Sequence, residues 1–429
     1  MLLRSLANIA VVAIVIVFAA GVAALAQEAE GPFGLGVGAR FVEVSNLNDG
    51  GPGSLRIALS QTGPRIVVFS VGGYIALKSD LVIQNGHVTV AGETAPGSGI
   101  VIRDGTVKVR TSNVELRHIA VYPGSSDDPK IAENRDAISI YGSPSRKNVI
   151  RDVVLSHVTA GWAVDENVSL QGLVDGVRIE RSLIAAPLRH GGHPKGVHSM
   201  NLLLANSAQK VDLLGNIMAA SEQRSARLTN GNRVAMINNF IYGFGRVSTH
   251  VDRSKEILNA GLIEIVGNVY EPTTDSKCNQ AIVQIAKDFA ASEPPTPIVM
   301  YDNIAVGDHA SCVRQDETAG TPEPIDDPDR WKIVPARDVY PAILDQAGAR
   351  PSSRNPIDAR IVQGMRDHTL RIPDSEADLG GWPEIKQVER ALDLPVSDRK
   401  IETQSDLVAA SAWLCQMQRQ VGGASTACD

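Results

Sequence analysis

Four stretches decide the fold: KVDLLGNIMA (residues 210–219), RVAMINNFIYG (233–243), LIEIVGNVY (262–270) and IVMYDNIAV (298–306). Each is a β-branched apolar run, a bend, and a second short apolar run. Asn216, Asn239, Asn268 and Asn303 fall at equivalent points of these units. Asparagine tolerates the left-handed backbone of a tight bend, and stacked asparagine side chains can hydrogen-bond from unit to unit. Working outward, RIVVFSV (65–71), HVTVAG (87–92), NVELRHIAVY (113–122), NVIRDVVLSHV (148–158) and GVRIERSLIA (176–185) share this shape and recur roughly every 23 to 36 residues. They are too short, too β-branched and too often broken by Gly and Asn to be helices. Alternating β and α units would need amphipathic segments of about 10 to 15 residues between strands, and none is present. The expectation is all-β: a right-handed parallel β-helix that stacks its rungs. A β-sandwich is the second reading, disfavoured because the repeat is too long for hairpins.

The chain of 429 residues carries a net charge of −7 and a pI near 5.8, which argues against nucleic acid as a partner. Residues 1–26 read as a signal peptide: Arg4 begins it, an apolar run extends from about Leu6 to Ala24, and small residues precede Gln27. An uncleaved anchor is the competing reading; nothing later is apolar enough to span a bilayer. The expectation is a secreted protein, extracellular or periplasmic, acting as a monomer. Cys278, Cys312, Cys415 and Cys428 suit two disulfides in an exported chain. Proximity favours Cys278–Cys312 and Cys415–Cys428, although three pairings are possible. Residues 27–315 read as the solenoid. The acidic, proline-rich QDETAGTPEPIDDPDRW opens a helical and loop extension over 316–429, packed on the solenoid, with helical spacing in DVYPAILDQAGARP, PIDARIVQGMRDH, PEIKQVERAL and SDLVAASAWLCQMQRQV.

Stacked rungs bring distant residues onto one face. Asp136 in RDAISIYG, Asp165 and Glu166 in WAVDENVSLQG, Lys195 in HPKGVHS, and Arg224 and Arg227 in RSAR each lie beside a strand-like run. Acids and bases on one face suit metal-assisted chemistry on an acidic polymer. Adjacent residues of a strand point to opposite faces, so Asp165 and Glu166 would share a metal only on a bend. His157, His190, His193 and His198 resemble a zinc cluster but read better as loop histidines bonded to backbone. Trp162 reads as a structural aromatic in preference to a sugar platform.

At these residues the chain resembles the pectate lyase superfamily of secreted polysaccharide lyases. The resemblance runs in order through residues 44–77, VTVAGETAPGSGIVIR, DAIS, WAVDENVS, GHPKGVHS, RSAR, AGARPSSRNPIDARIV and GGWPEI. It implies calcium-assisted β-elimination of pectate or polygalacturonate, with Arg224 as base, Lys195 and Arg227 on substrate, and Asp136, Asp165 and Glu166 on Ca2+. Departures from the family pattern are Ala226 in the arginine motif, Thr229 where a further arginine stands, Ser169 where a further acid stands, and VHSMNLLLAN after the lysine motif. The glycoside hydrolase signatures of the same fold are absent. A lyase on another uronate polymer such as alginate, or a non-catalytic polysaccharide-binding β-helix, are the alternatives.

Overall fold

The computed structural model describes residues 33–422 apart from 207, 255–258, 288, 290–292, 294 and 316–330. The expected signal segment and Cys428 lie outside the described residues. Three sheets of parallel strands run the length of the molecule. From Arg65 onward the coils visit them in one order. Val114–Arg117 lies in sheet one, Ile119–Tyr122 in sheet two and Ile138–Gly142 in sheet three, and the chain then returns to sheet one at Ile150–Ser156. This is the β-helix the sequence predicts.

Register explains why short β-branched runs suffice. Val88, Val114, Val153, Val177, Val211, Val234 and Ile263 stand opposite one another in successive rungs, all buried. Each such side chain contributes roughly 1.5–3 kcal/mol by leaving water. At the one–two corner the asparagines form the expected ladder. Nδ2 of Asn216 donates to Oδ1 of Asn239 at 3.1 Å, Asn239 to Asn268 at 2.9 Å, and Asn268 to Asn303 at 2.9 Å.

Rung length is uneven, and the unevenness positions the site. Val211 lies 23 residues before its partner Val234, whereas Val114 and Val153 are 39 apart and Val177 and Val211 are 34 apart. In both long rungs the extra residues sit at the two–three corner, after Tyr122 and after Ala185. The first excess exceeds the expected range because that loop carries its own short helix, Pro129–Ala132, N-capped by Asp128.

The C-terminal residues pack along the solenoid. Ala336, Ile343, Leu344, Ile357 and Ile361 join Val101, Leu183 and Phe240 in one apolar cluster, and Tyr122 and Thr159 both donate to the buried Asp358, at 2.7 and 2.6 Å. The helix Gln404–Val421 covers Phe41 and Ile66. The helical reading of PEIKQVERAL is corrected. Those residues are extended, and Val388–Glu389 pairs antiparallel with Val71 and Gly72 on the open edge of sheet two, where free backbone groups outweigh helical spacing. Cys278 and Cys312 are joined.

Candidate active site

Every candidate residue falls at the two–three corner, or one step into sheet three. Asp136 precedes the strand Ile138–Gly142, Asp165 precedes Glu166–Gly172, the loop holding Lys195 precedes Met200–Leu204, and Arg224 precedes Arg227–Thr229. Parallel register stacks these strand starts. Ile138 stands opposite Val168, and Glu166 opposite Met200.

Asp165 lies on a bend while Glu166 opens the strand. The opposite-faces argument therefore does not separate them: a carboxylate oxygen from each of Asp136, Asp165 and Glu166 lies within 4.8 Å of the others. Asp136 is buried. Its Oδ1 accepts from Glu166 N at 3.1 Å and its Oδ2 from Ser169 Oγ at 2.5 Å. Burial, and then the neighbouring charge of Asp165, push its carboxyl up to about 8. Three crowded acids form an incomplete oxygen shell. Ca2+ takes 6 to 8 oxygens at about 2.3–2.6 Å, so two ligands of one ion can stand as far apart as these do, and the donor set fits a hard cation.

Glu166 is also contacted by the Arg224 guanidinium, Nη1 to Oε1. Arg224 takes a left-handed φ of 67°, held where its carbonyl accepts from Leu202 N at 2.7 Å. That turn aims its side chain back toward the acids of the preceding rungs. Burial, and then Arg227, lower its pKa to about 10, against the opposing pull of Asp165 and Asp136. Arg227 turns the other way, its Nη2 donating to Asp252 Oδ2 at 2.8 Å. Lys195 is exposed on its loop, and its backbone N–H donates to His193 Nδ1 at 3.1 Å. The structure thus gathers Asp136, Asp165, Glu166 and Arg224, with Lys195 and Arg227 on the rim. An open groove of about 740 Å3 beside the acids is lined by Lys108, Arg110, Asp136, Tyr141 and Asp165, with Arg110 over the Tyr141 ring at 5.3 Å.

Two further features carry the site. Behind the bends, Asn167 Nδ2 donates to Asn201 Oδ1 at 2.9 Å, and Asn201 Nδ2 donates to Ser221 and Ser225, both at 3.0 Å. This buried polar ladder braces the turns of Asp165 and Arg224; Asn at the same offset in NVS and NLL is its only signal in sequence. In front, His193 and His198 converge on Asp165, with His198 Nε2 at 2.8 Å from Oδ1. The backbone-bonded reading holds for His193, whose Nδ1 accepts from Lys195 N–H, and is corrected for His198, which meets a carboxylate because the inserted loop folds back over the preceding rung. The two inserted loops also touch. Gly192, at φ 102°, leaves no room for a side chain, since an added Cβ would lie 2.0 Å from the Ser126 carbonyl oxygen. Trp162 is fully buried between Tyr122 and Trp382, as a structural aromatic should be.

No protein-family model matches the chain. Probable pectate lyase C of Aspergillus flavus is 29% identical over 371 residues, 84% of this chain and 81% of that protein. The protein of the same name from Aspergillus oryzae is 29% identical over 353 residues, 80% of this chain and 77% of that one. Over most of its length this chain is therefore similar to probable pectate lyases. Its departures from the pattern of that family have local explanations. Ser169 spends its hydroxyl on Asp136, while Ala226 and Thr229 are buried, Thr229 Oγ1 donating to Leu204 O at 3.4 Å. Among solved structures, jun a 1, the major allergen from cedar pollen, aligns over 72% of this chain and 88% of that one at 14% identity, with a TM-score of 0.48.

Proposed function

We propose that the protein cleaves (1→4)-linked galacturonan by calcium-assisted β-elimination. The supporting observation is the convergence of Asp136, Asp165 and Glu166 oxygens within 4.8 Å, with Arg224 against Glu166, beside an open groove that Asp136 and Asp165 line. Asp136 and Asp165 would hold the ion, with Glu166 available to it. When bound, calcium withdraws electron density from the uronate carboxylate and so acidifies the neighbouring C5 proton.

The remaining work belongs to the chain. Arg224 takes the C5 proton, the C5–H pair forms the C4=C5 double bond, and the C4–O bond breaks toward the leaving sugar, which gains a proton from water. A base of this kind supplies about 10²–10⁴ of rate. Arg224 must be neutral to act, and a pKa lowered to about 10 makes that form accessible at mildly alkaline pH. Glu166 has two claims on it: the guanidinium it touches and the oxygen cluster it shares. Serving the cluster removes the anion that keeps Arg224 charged. Lys195 and Arg227 meet substrate carboxylates, Arg227 through its planar fork. An exported location suits the Cys278–Cys312 disulfide.

The test is ultraviolet absorbance of unsaturated product on polygalacturonate. A rise that needs calcium, disappears with chelator and is lost in Arg224→Ala supports the reading. Product from alginate alone would reassign the polymer, and none from either would leave a binding solenoid.

A further inference from the structure

His193 and His198 have no part in the elimination, yet they are aimed at it. Their rings are stacked, with centroids 3.8 Å apart and planes 10° from parallel. His198 Nε2 lies 2.8 Å from Asp165 Oδ1, and His193 Nε2 lies 3.9 Å from the same oxygen. Both side chains are at least nine-tenths buried, and the backbone of Glu133 also lies against the His193 ring.

This set could itself hold a transition metal, since the three ligand atoms lie within 4.8 Å of one another. The hydrogen bonding decides against it. Lys195 N–H donates to His193 Nδ1, so a neutral His193 carries its proton on Nε2. A protonated nitrogen cannot ligate. What the geometry offers is two N–H donors side by side, facing one carboxylate oxygen.

We propose that His198, clamped by the His193 ring, is a positioning residue for Asp165: it occupies Oδ1 and so fixes the carboxylate's orientation toward the acid cluster. This inference rests on the calcium reading of that cluster. It adds that the Lys195 loop and the metal ligand are one unit, because the residue that fixes the His193 tautomer is Lys195 itself. The loop is tied further on as well. Arg189 reaches Glu222, Nη2 to Oε1 at 2.5 Å, two residues before Arg224. Partners that orient metal ligands from behind typically govern 10- to 100-fold of metal affinity.

The experiment is calorimetric titration of the purified chain with Ca2+, and separately with Zn2+, on wild type, His198→Ala, His198→Gln and His193→Ala. Cooperative unfolding in chelator checks that each variant is folded. The expected result is calcium affinity weakened about 10- to 100-fold in His198→Ala, largely restored in His198→Gln, whose amide can donate to the same oxygen. His193→Ala should weaken it less and speed hydrogen exchange at the Lys195 amide. Wild-type affinity in His198→Ala would overturn the inference while leaving the calcium site standing. Stoichiometric Zn2+ binding lost in both alanine variants would overturn it by making the histidines ligands. If the wild-type chain takes up no calcium, the metal reading falls and this inference with it.

Discussion

The two corners of the solenoid that flank sheet two are made by the same chain at the same spacing, and they do opposite things. At the one–two corner the bends are short, and the polar groups are answered by the next rung or by the C-terminal extension. The asparagine ladder runs there, and His118 and His157 stack at 4.8 Å, with His118 Nδ1 on Ala349 O at 2.8 Å. At the two–three corner the bends differ in length and carry acids and bases whose partners are shared or missing. A repeating fold can satisfy every corner equally. Where one corner instead crowds three carboxylates against an arginine, the arrangement costs stability, which the cation proposed above would offset.

The largest expected effect breaks the comparison at its functional end. Arg224→Lys keeps a cation beside Glu166 but loses the base, so product formation should fall about 10²–10⁴-fold, measured by absorbance, with the melting temperature little changed. Asp165→Asn should abolish calcium-dependent stabilisation, which in the wild type reaches about 2.7 kcal/mol at a hundredfold excess over Kd; thermal unfolding with and without chelator reads this directly. At the other corner, Asn239→Ala removes a central ladder member, strands the Asn216 donors and takes one donor from Asn268 Oδ1. A loss of about 2 kcal/mol should appear in urea unfolding, with activity at room temperature retained.

The smallest effect sharpens the contrast through pH. Burial holds His118 down at about 3, and His157 well below its ordinary value. Their unfolded forms bind protons near 6.5, so the one–two corner loses stability as pH falls below about 6.5. Asp136, raised from 3.8 to about 8, has the opposite sign. Its native form keeps a proton that the unfolded chain gives up, so without calcium the two–three corner loses stability as pH rises from about 4 to 8. Each group should contribute a slope of about 1.4 kcal/mol per pH unit within its window. Asp136→Asn should flatten the alkaline one and His157→Gln reduce the acid one, both measured in chelator.

These differences also explain what could be read from sequence. The strands and the ladder were legible because repetition places Asn216, Asn239, Asn268 and Asn303 at equal offsets. Asp136, Asp165, Glu166, Lys195 and Arg224 stood out as polar groups beside apolar runs. The roles of His193 and His198 were not legible, because an inserted loop has no period and its folding back over Asp165 depends on contacts across rungs. PEIKQVERAL misled for a related reason: helical spacing says nothing about an open sheet edge waiting elsewhere for a strand. For Asp165 and Glu166 the structure shows the exception that the sequence left open: alternation holds within a strand, and Asp165 lies on the bend before it.

Gly192 carries a consequence for anyone who would rebuild this groove. Because its backbone rests directly on the Ser126 carbonyl, the loop after Tyr122 and the loop after Ala185 form a single interlocked part. Transplanting either loop from a relative without its counterpart would jam or gap the junction; exchanged together, they form a cassette that could be swapped to retune polymer preference while the ladder behind them stays untouched.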